Sequence, residues 1–184
     1  MTRAVVAGLS TVVLVSIGLA VLWAPPSATR GVEVGDLAPD YGAPLLSGEA
    51  VSLSDQRGRV VLVNIWATWC GPCRVEMPPI EQVYERYSNE GCSVLAVSVD
   101  AGPDHREKVE RFIEEYGLAF PVLLDPDGRV TRVFQTVGVP ETFVLDRQGV
   151  IVKKVIGATE WDAPAQKALI DRLLAERAQP PSGG

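Results

Sequence analysis

Two cysteines separated by two residues, Cys70-Gly71-Pro72-Cys73, are the part of this chain best suited to chemistry. They follow an almost continuous β-branched run, Arg59 to Trp66, and lead into a helical pattern from Arg74 to Asn89. A thiolate is the reactive form of cysteine, and a helix N-terminus stabilises one through unpaired backbone N–H groups and aligned peptide dipoles. The first cysteine of the pair gains most. Two intervening residues in a first helical turn keep the second sulfur within bonding reach, and Pro72 sits where a missing N–H costs least. The pair therefore points to thiol-disulfide exchange. Half of a zinc site is the other chemistry open to this spacing, but three cysteines and one histidine in the whole chain leave no second pair to complete four ligands, so no metal is expected. The third cysteine, Cys92, heads the apolar run Ser93 to Val99 and reads as a small buried hydrophobe, with a reactive free thiol as the alternative.

The elements that must position this pair follow from periodicity. Leu45, Val51 and Leu53 predict a short hairpin around Ser47-Gly48-Glu49, after a turn-rich entry at Gly35 to Asp40. The run at 59–66 reads as a central strand buried on both faces. The pattern at 74–89 places Val75, Ile80, Val83, Tyr84 and Tyr87 near one face of a helix, and Pro78-Pro79 predicts a kink within it rather than its end. Further strands are expected at 94–99 and 120–124, helices at 104–116 and 130–134, and a hairpin from 139–145 and 150–156 around Asp146 to Gly149. A last helix covers 163–178. The single histidine, His105, starts the second helix and has no role assigned. Strands alternating with helices and finishing in a hairpin give an α/β sandwich with a mixed sheet.

At 184 residues, with 47% in the apolar set, the chain can bury one domain core and would crowd two. Arg3 and Arg30 are the only charges in the first thirty residues, so the rest carries 15 basic and 23 acidic side chains. That balance argues against a nucleic-acid surface. Ala4 to Trp23 has no charge, and a helix of this length spans a hydrocarbon core of about 30 Å. Arg3 before it, Trp23 at its end and Pro25-Pro26 beyond predict a single-pass anchor with the domain outside. A cleaved signal peptide is the competing reading, and it also places the domain outside. The expected organisation is an anchor at 1–23, a linker at 24–31, a folded domain at 32–178 and a disordered tail at 179–184.

The segment Ile65-Trp66-Ala67-Thr68-Trp69-Cys70-Gly71-Pro72-Cys73-Arg74 resembles the active-site segment of thioredoxins. Asn64, Glu76, Pro78, the entry Gly35-Asp36-x-Ala38-Pro39, and Gly138-Val139-Pro140-Glu141-Thr142-Phe143 narrow the likeness to the membrane-anchored TlpA/ResA/CcmG-like branch. The resemblance covers about 32–178 and implies a thioredoxin fold. It implies that Cys70 is the exposed nucleophile and Cys73 the buried resolving thiol, with Trp69 covering the site and Trp66 in the core. Pro140 matches a cis-proline facing the cysteines, where Val139 offers its backbone to a substrate chain. Gly71, Pro72 and Glu141 complete the implied substrate-binding set.

Cytoplasmic thioredoxins carry a buried aspartate where this chain has Asn64, and asparagine cannot accept the proton released as Cys73 attacks. Glu76 is the better base on offer and Glu141 the weaker. The other reading of Glu76 is a first-turn glutamate stabilised by the helix dipole. The Gly-Pro dipeptide is that of thioredoxin and argues for a reducing couple, although the branch often carries other pairs.

The resemblance implies an extracytoplasmic reductase of protein disulfides in the bacterial cell membrane, serving cytochrome c maturation or oxidase metal-site assembly. Its clients would be an apocytochrome c or a copper-site assembly factor, and its electrons would come from an integral-membrane thiol carrier. No cofactor is implied. Two other classes stay open. A thiol peroxidase of the peroxiredoxin group shares the Gly-Asp-x-Ala-Pro entry but needs a Pro-x-x-x-Thr-x-x-Cys setting that this chain lacks. A non-catalytic binding module would have no need of both cysteines.

Overall fold

A computed structural model describes residues 32–176. The expected anchor, the linker and the tail lie outside the described residues. Contacts divide the chain into Met1–Arg30 and Gly31–Gly184, and everything described belongs to the second unit. No helix among the described residues is long and apolar enough to cross a membrane.

The central strand β3 (Val60–Trp66) is buried along its whole length. Its alternation sends Val60, Leu62 and Trp66 into one core and Val61, Val63 and Ile65 into the other. Each such side chain contributes roughly 1.5–3 kcal/mol on burial, which is why a β-branched run becomes the middle of the sheet. Around it lie β4 (Cys92–Ser98), β5 (Val122–Leu124), β6 (Glu141–Leu145) and β7 (Ile151–Ile156), in the order β5-β4-β3-β6-β7. β3, β4 and β5 are parallel, while β6 and β7 run antiparallel to their neighbours. The hairpin of β1 (Gly42–Pro44) and β2 (Ala50–Ser52) forms a separate two-stranded sheet.

One face of the main sheet carries α1 (Gly71–Tyr87), α2 (His105–Tyr116) and α4 (Pro164–Ala175), through Met77, Ile80, Val109, Phe112, Ile170 and Leu173. The other is covered by Val32, Tyr41, Ala43, Leu53, and Val130 of α3 (Arg129–Val133) with the adjacent Phe134. The parallel crossovers β3-α1-β4 and β4-α2-β5 need helices of this length, and Gly117, at φ 64°, ends α2 in the left-handed conformation that lets the chain turn into β5. This is the thioredoxin-like α/β fold with a mixed sheet.

Most boundaries differ from those expected by a residue or two, and three of the differences have a clear form. α1 begins at Gly71 rather than Arg74, because Cys70 caps it and Pro72 fits its first turn, and it runs on through Pro78 and Pro79. β6 begins at Glu141 rather than Val139, because the Val139–Pro140 peptide bond is cis and proline has no N–H for the ladder. β5 is shorter than expected, beginning at Val122.

Candidate active site

β3 delivers the chain to the end of the sheet, and four residues later Cys70 caps α1. Its Sγ accepts the Cys73 backbone N–H at 3.2 Å and is bonded to Cys73 Sγ, with the two Cα atoms 5.3 Å apart. A carboxylate network holds the approach. Asp100, buried just beyond β4, accepts Thr68 N–H at 2.9 Å, the Thr68 hydroxyl at 2.6 Å and the Ser98 hydroxyl at 2.9 Å. Arg74 Nε donates to Thr68 O at 3.1 Å, and its guanidinium lies 5.5 Å from the centre of the Phe112 ring. The turn presenting Cys70 is thereby fixed from both β4 and α1.

Facing the disulfide is the cis Val139–Pro140 segment, with Val139 O 3.5 Å from Cys70 Sγ. Exposure corrects one expectation. Cys70 is only 5% exposed and so nearly as buried as Cys73, because the disulfide turns its sulfur inward beneath Val139. Trp69, next to Cys70 in the chain, is 69% exposed. Trp66 is in the core against Phe112.

Glu76 is wholly buried on α1, one turn beyond Cys73 and on the same helix face. Because α1 starts at Gly71, Glu76 lies outside the first turn, and the reading of a dipole-stabilised first-turn glutamate does not hold. Asn64 Nδ2 donates to Glu76 Oε1 at 2.7 Å and to Thr142 Oγ1 at 2.8 Å, while Thr159 N–H donates to Glu76 Oε2 at 3.3 Å. Every partner is neutral. Burial pushes the Glu76 carboxyl up to about 7, against the opposing pull of Asn64, Thr159 and the Trp161 indole. A carboxyl poised near neutrality can take up and return a proton.

Glu141 is equally buried but points the other way. Its register partner is Ile65, and it lies on the face of Phe143 and Leu145, whereas Asn64 and Thr142 face α1. Its Oε2 accepts Val137 N–H at 3.0 Å, and its Oε1 lies 3.6 Å from Lys154 Nζ. The sheet separates this carboxylate from Cys73, so it is no base for that thiol. Cys92 is buried in β4, and burial pushes its thiol up to about 12, so it stays protonated and inert. Among the described residues no group of His, Cys, Asp or Glu is arranged to hold a metal ion.

Sequence pattern alone does not disclose Asp100, Thr142, Thr159, Trp161 or Lys154, which reach the site from separate segments. An open cleft of about 870 Å³ lies between Val75 and Pro79 of α1 and the stretch from Ala158 to Gln166.

A thioredoxin fold carrying a disulfide at a helix N-terminus, opposite a cis-proline, defines a thiol-disulfide oxidoreductase. The sequence profile of the AhpC/TSA family matches residues 34–154, and the chain belongs to that thioredoxin-like family. It is 37% identical to the thioredoxin-like protein YneN of Bacillus subtilis (77% of this chain, 82% of the relative). It is 36% identical to the thiol-disulfide oxidoreductase ResA of Geobacillus kaustophilus, over 80% of this chain and 83% of that one. Among solved structures, a Chlorobium tepidum protein assigned as thiol:disulfide interchange protein DsbE superposes with a TM-score of 0.72 at 34% identity, covering 79% of this chain and all of that one.

Proposed function

We propose that this oxidoreductase reduces protein disulfides on the extracytoplasmic side of a bacterial membrane, held there by residues 1–23. The observation that carries the reading is the bonded Cys70–Cys73 pair at the start of α1, under the cis Val139–Pro140 segment. In the reduced enzyme the Cys70 thiolate attacks one sulfur of a client disulfide. A mixed disulfide forms and the other client sulfur leaves as a thiolate. Cys73, deprotonated with Glu76 as acceptor, then attacks Cys70 Sγ, expelling the second client thiolate and closing the disulfide seen here. Two electrons pass from the enzyme dithiol to the client. Val139 offers its backbone to the client chain, flanked by Trp69, Gly71, Pro72 and Pro140, while Glu141 contributes by holding Val137.

The reaction leaves the enzyme oxidised, so each turnover needs a dithiol donor. Outside the cytoplasm that donor is an integral-membrane thiol carrier. Kinship with ResA supports clients such as an apocytochrome c or a copper-site assembly factor, whose paired cysteines must be reduced before haem or metal is attached. With dithiothreitol as donor, the protein should catalyse insulin reduction and Cys70→Ala should abolish it. Full-length protein should resist alkaline carbonate extraction from membranes. Release into the soluble fraction with a first residue beyond Trp23 would remove the anchor from the account.

A further inference from the structure

Among the described residues, Lys154 is the one cation in contact with a fully buried carboxylate at the loop that faces the cysteines. It lies on β7 opposite Phe143, with its side chain 15% exposed and its Nζ 5.6 Å from the Phe143 ring centre. From there Nζ reaches Glu141 Oε1 at 3.6 Å, Glu33 Oε1 at 3.1 Å and Val32 O at 3.2 Å. Glu141 in turn accepts the Val137 N–H, at the start of the stretch Val137-Gly138-Val139-Pro140 whose carbonyl lies against Cys70. Two further hydrogen bonds and one unusual backbone conformation fix that stretch. Thr136 N–H donates to Thr131 O, Gly157 N–H donates to Pro140 O, and Gln135 is held at φ 51°, a conformation a non-glycine residue adopts only when its surroundings impose it.

A buried carboxylate among Ile65, Phe143 and Leu145 is costly unless it is paired, and a pair of apolar residues there would be tolerated at least as well. Core stability therefore does not account for a charge at this position. Its geometry does: of the two carboxylate oxygens one holds the loop and the other faces the lysine. We propose that Lys154 is a positioning residue for client binding. By keeping the Glu141 carboxylate oriented it anchors Val137, and it ties the client loop to Val32–Glu33, the segment by which the chain enters the domain. This rests on the reading that the Val137–Pro140 loop seats the client chain.

The test is the kinetics of Lys154→Met, Lys154→Arg and the apolar double variant Glu141→Leu/Lys154→Met, with insulin and with dithiodipyridine, a small disulfide that makes no backbone contacts. For Lys154→Met the account expects KM for insulin to rise about fivefold, as for the loss of one hydrogen bond, with kcat and the dithiodipyridine rate unchanged. Lys154→Arg should restore KM, since its guanidinium also pairs with a carboxylate. The double variant removes both charges, so it should fold with stability near that of the wild type and still show the raised KM. A double variant that folds and binds insulin with wild-type KM overturns the positioning role. So does a Lys154→Met protein whose two rates fall together with its stability. Failure of the wild-type protein to reduce insulin while it reacts with dithiodipyridine removes the client-binding reading itself, and the positioning role with it.

Discussion

Glu76 and Glu141 are both fully buried glutamates, placed on opposite faces of one sheet, and their neighbours give them opposite duties. Glu76 is held by neutral donors alone, from Asn64 and Thr159, so its charge is poorly compensated and its carboxyl titrates near neutrality. Glu141 has a lysine beside one oxygen and a loop N–H on the other. The first arrangement suits exchange of a proton beside Cys73, and the second suits keeping a loop in place. Residue type and burial, identical in the two, do not tell them apart; the presence of a cation does.

The largest effect expected from breaking this contrast is on stability. Lys154→Met leaves the Glu141 charge buried without a cation and should destabilise the fold by about 3 kcal/mol. Glu141→Gln retains an acceptor for Val137 and leaves a lysine that can turn to solvent, so its cost should be about 1 kcal/mol. Urea midpoints at constant m-value measure both. Equal losses for the two variants would mean that the pair acts only as generic packing.

Glu76 supplies the next effect, with a definite sign. Its folded carboxyl is raised to about 7 from an ordinary 4.5, so the folded protein binds this proton more tightly than the unfolded chain does. The stability linked to it is fully present below pH 4.5 and is lost as pH rises through about 7. Glu76→Gln should flatten that slope and leave the oxidised protein more stable than the wild type at alkaline pH, by on the order of 1–3 kcal/mol. Denaturation of both proteins across this range checks it, and parallel slopes would return Glu76 to an ordinary titration. The smallest effect concerns Asn64, whose amide holds the Glu76 carboxyl down. Asn64→Leu should therefore move the Glu76-dependent midpoint of the pH-rate profile upward, by less than about one unit.

Much of this was legible in the chain before any fold was in view, and the reasons are local. The β-branched run of β3, the cysteine pair behind it and the helical pattern beyond are each encoded within a few residues, so the site could be placed where one strand meets one helix. Glu76 could be connected to Cys73 because spacing on a helix fixes a common face. The direction of Glu141 could not be read in the same way. Alternation along a strand says that neighbours face opposite sides, but which side depends on the pairing of Asn64 with Thr142, a contact between residues far apart in the chain. Asp100, Thr159 and Lys154 likewise act through long-range contacts that carry no local signature. Cys70 is buried in the disulfide form, a burial that depends on the fold around it and that its position in the sequence does not reveal.

The most direct test of the account is a trapping measurement on Cys73→Ala. This protein keeps the attacking Cys70 but has no thiol to release it, so client proteins should accumulate as mixed disulfides, visible on non-reducing gels and identifiable by mass spectrometry. Cys70→Ala should trap none. If Cys73→Ala instead traps no protein and rapidly consumes hydroperoxide, the enzyme is a thiol peroxidase and the account of Cys70 as the nucleophile of protein-disulfide reduction is wrong.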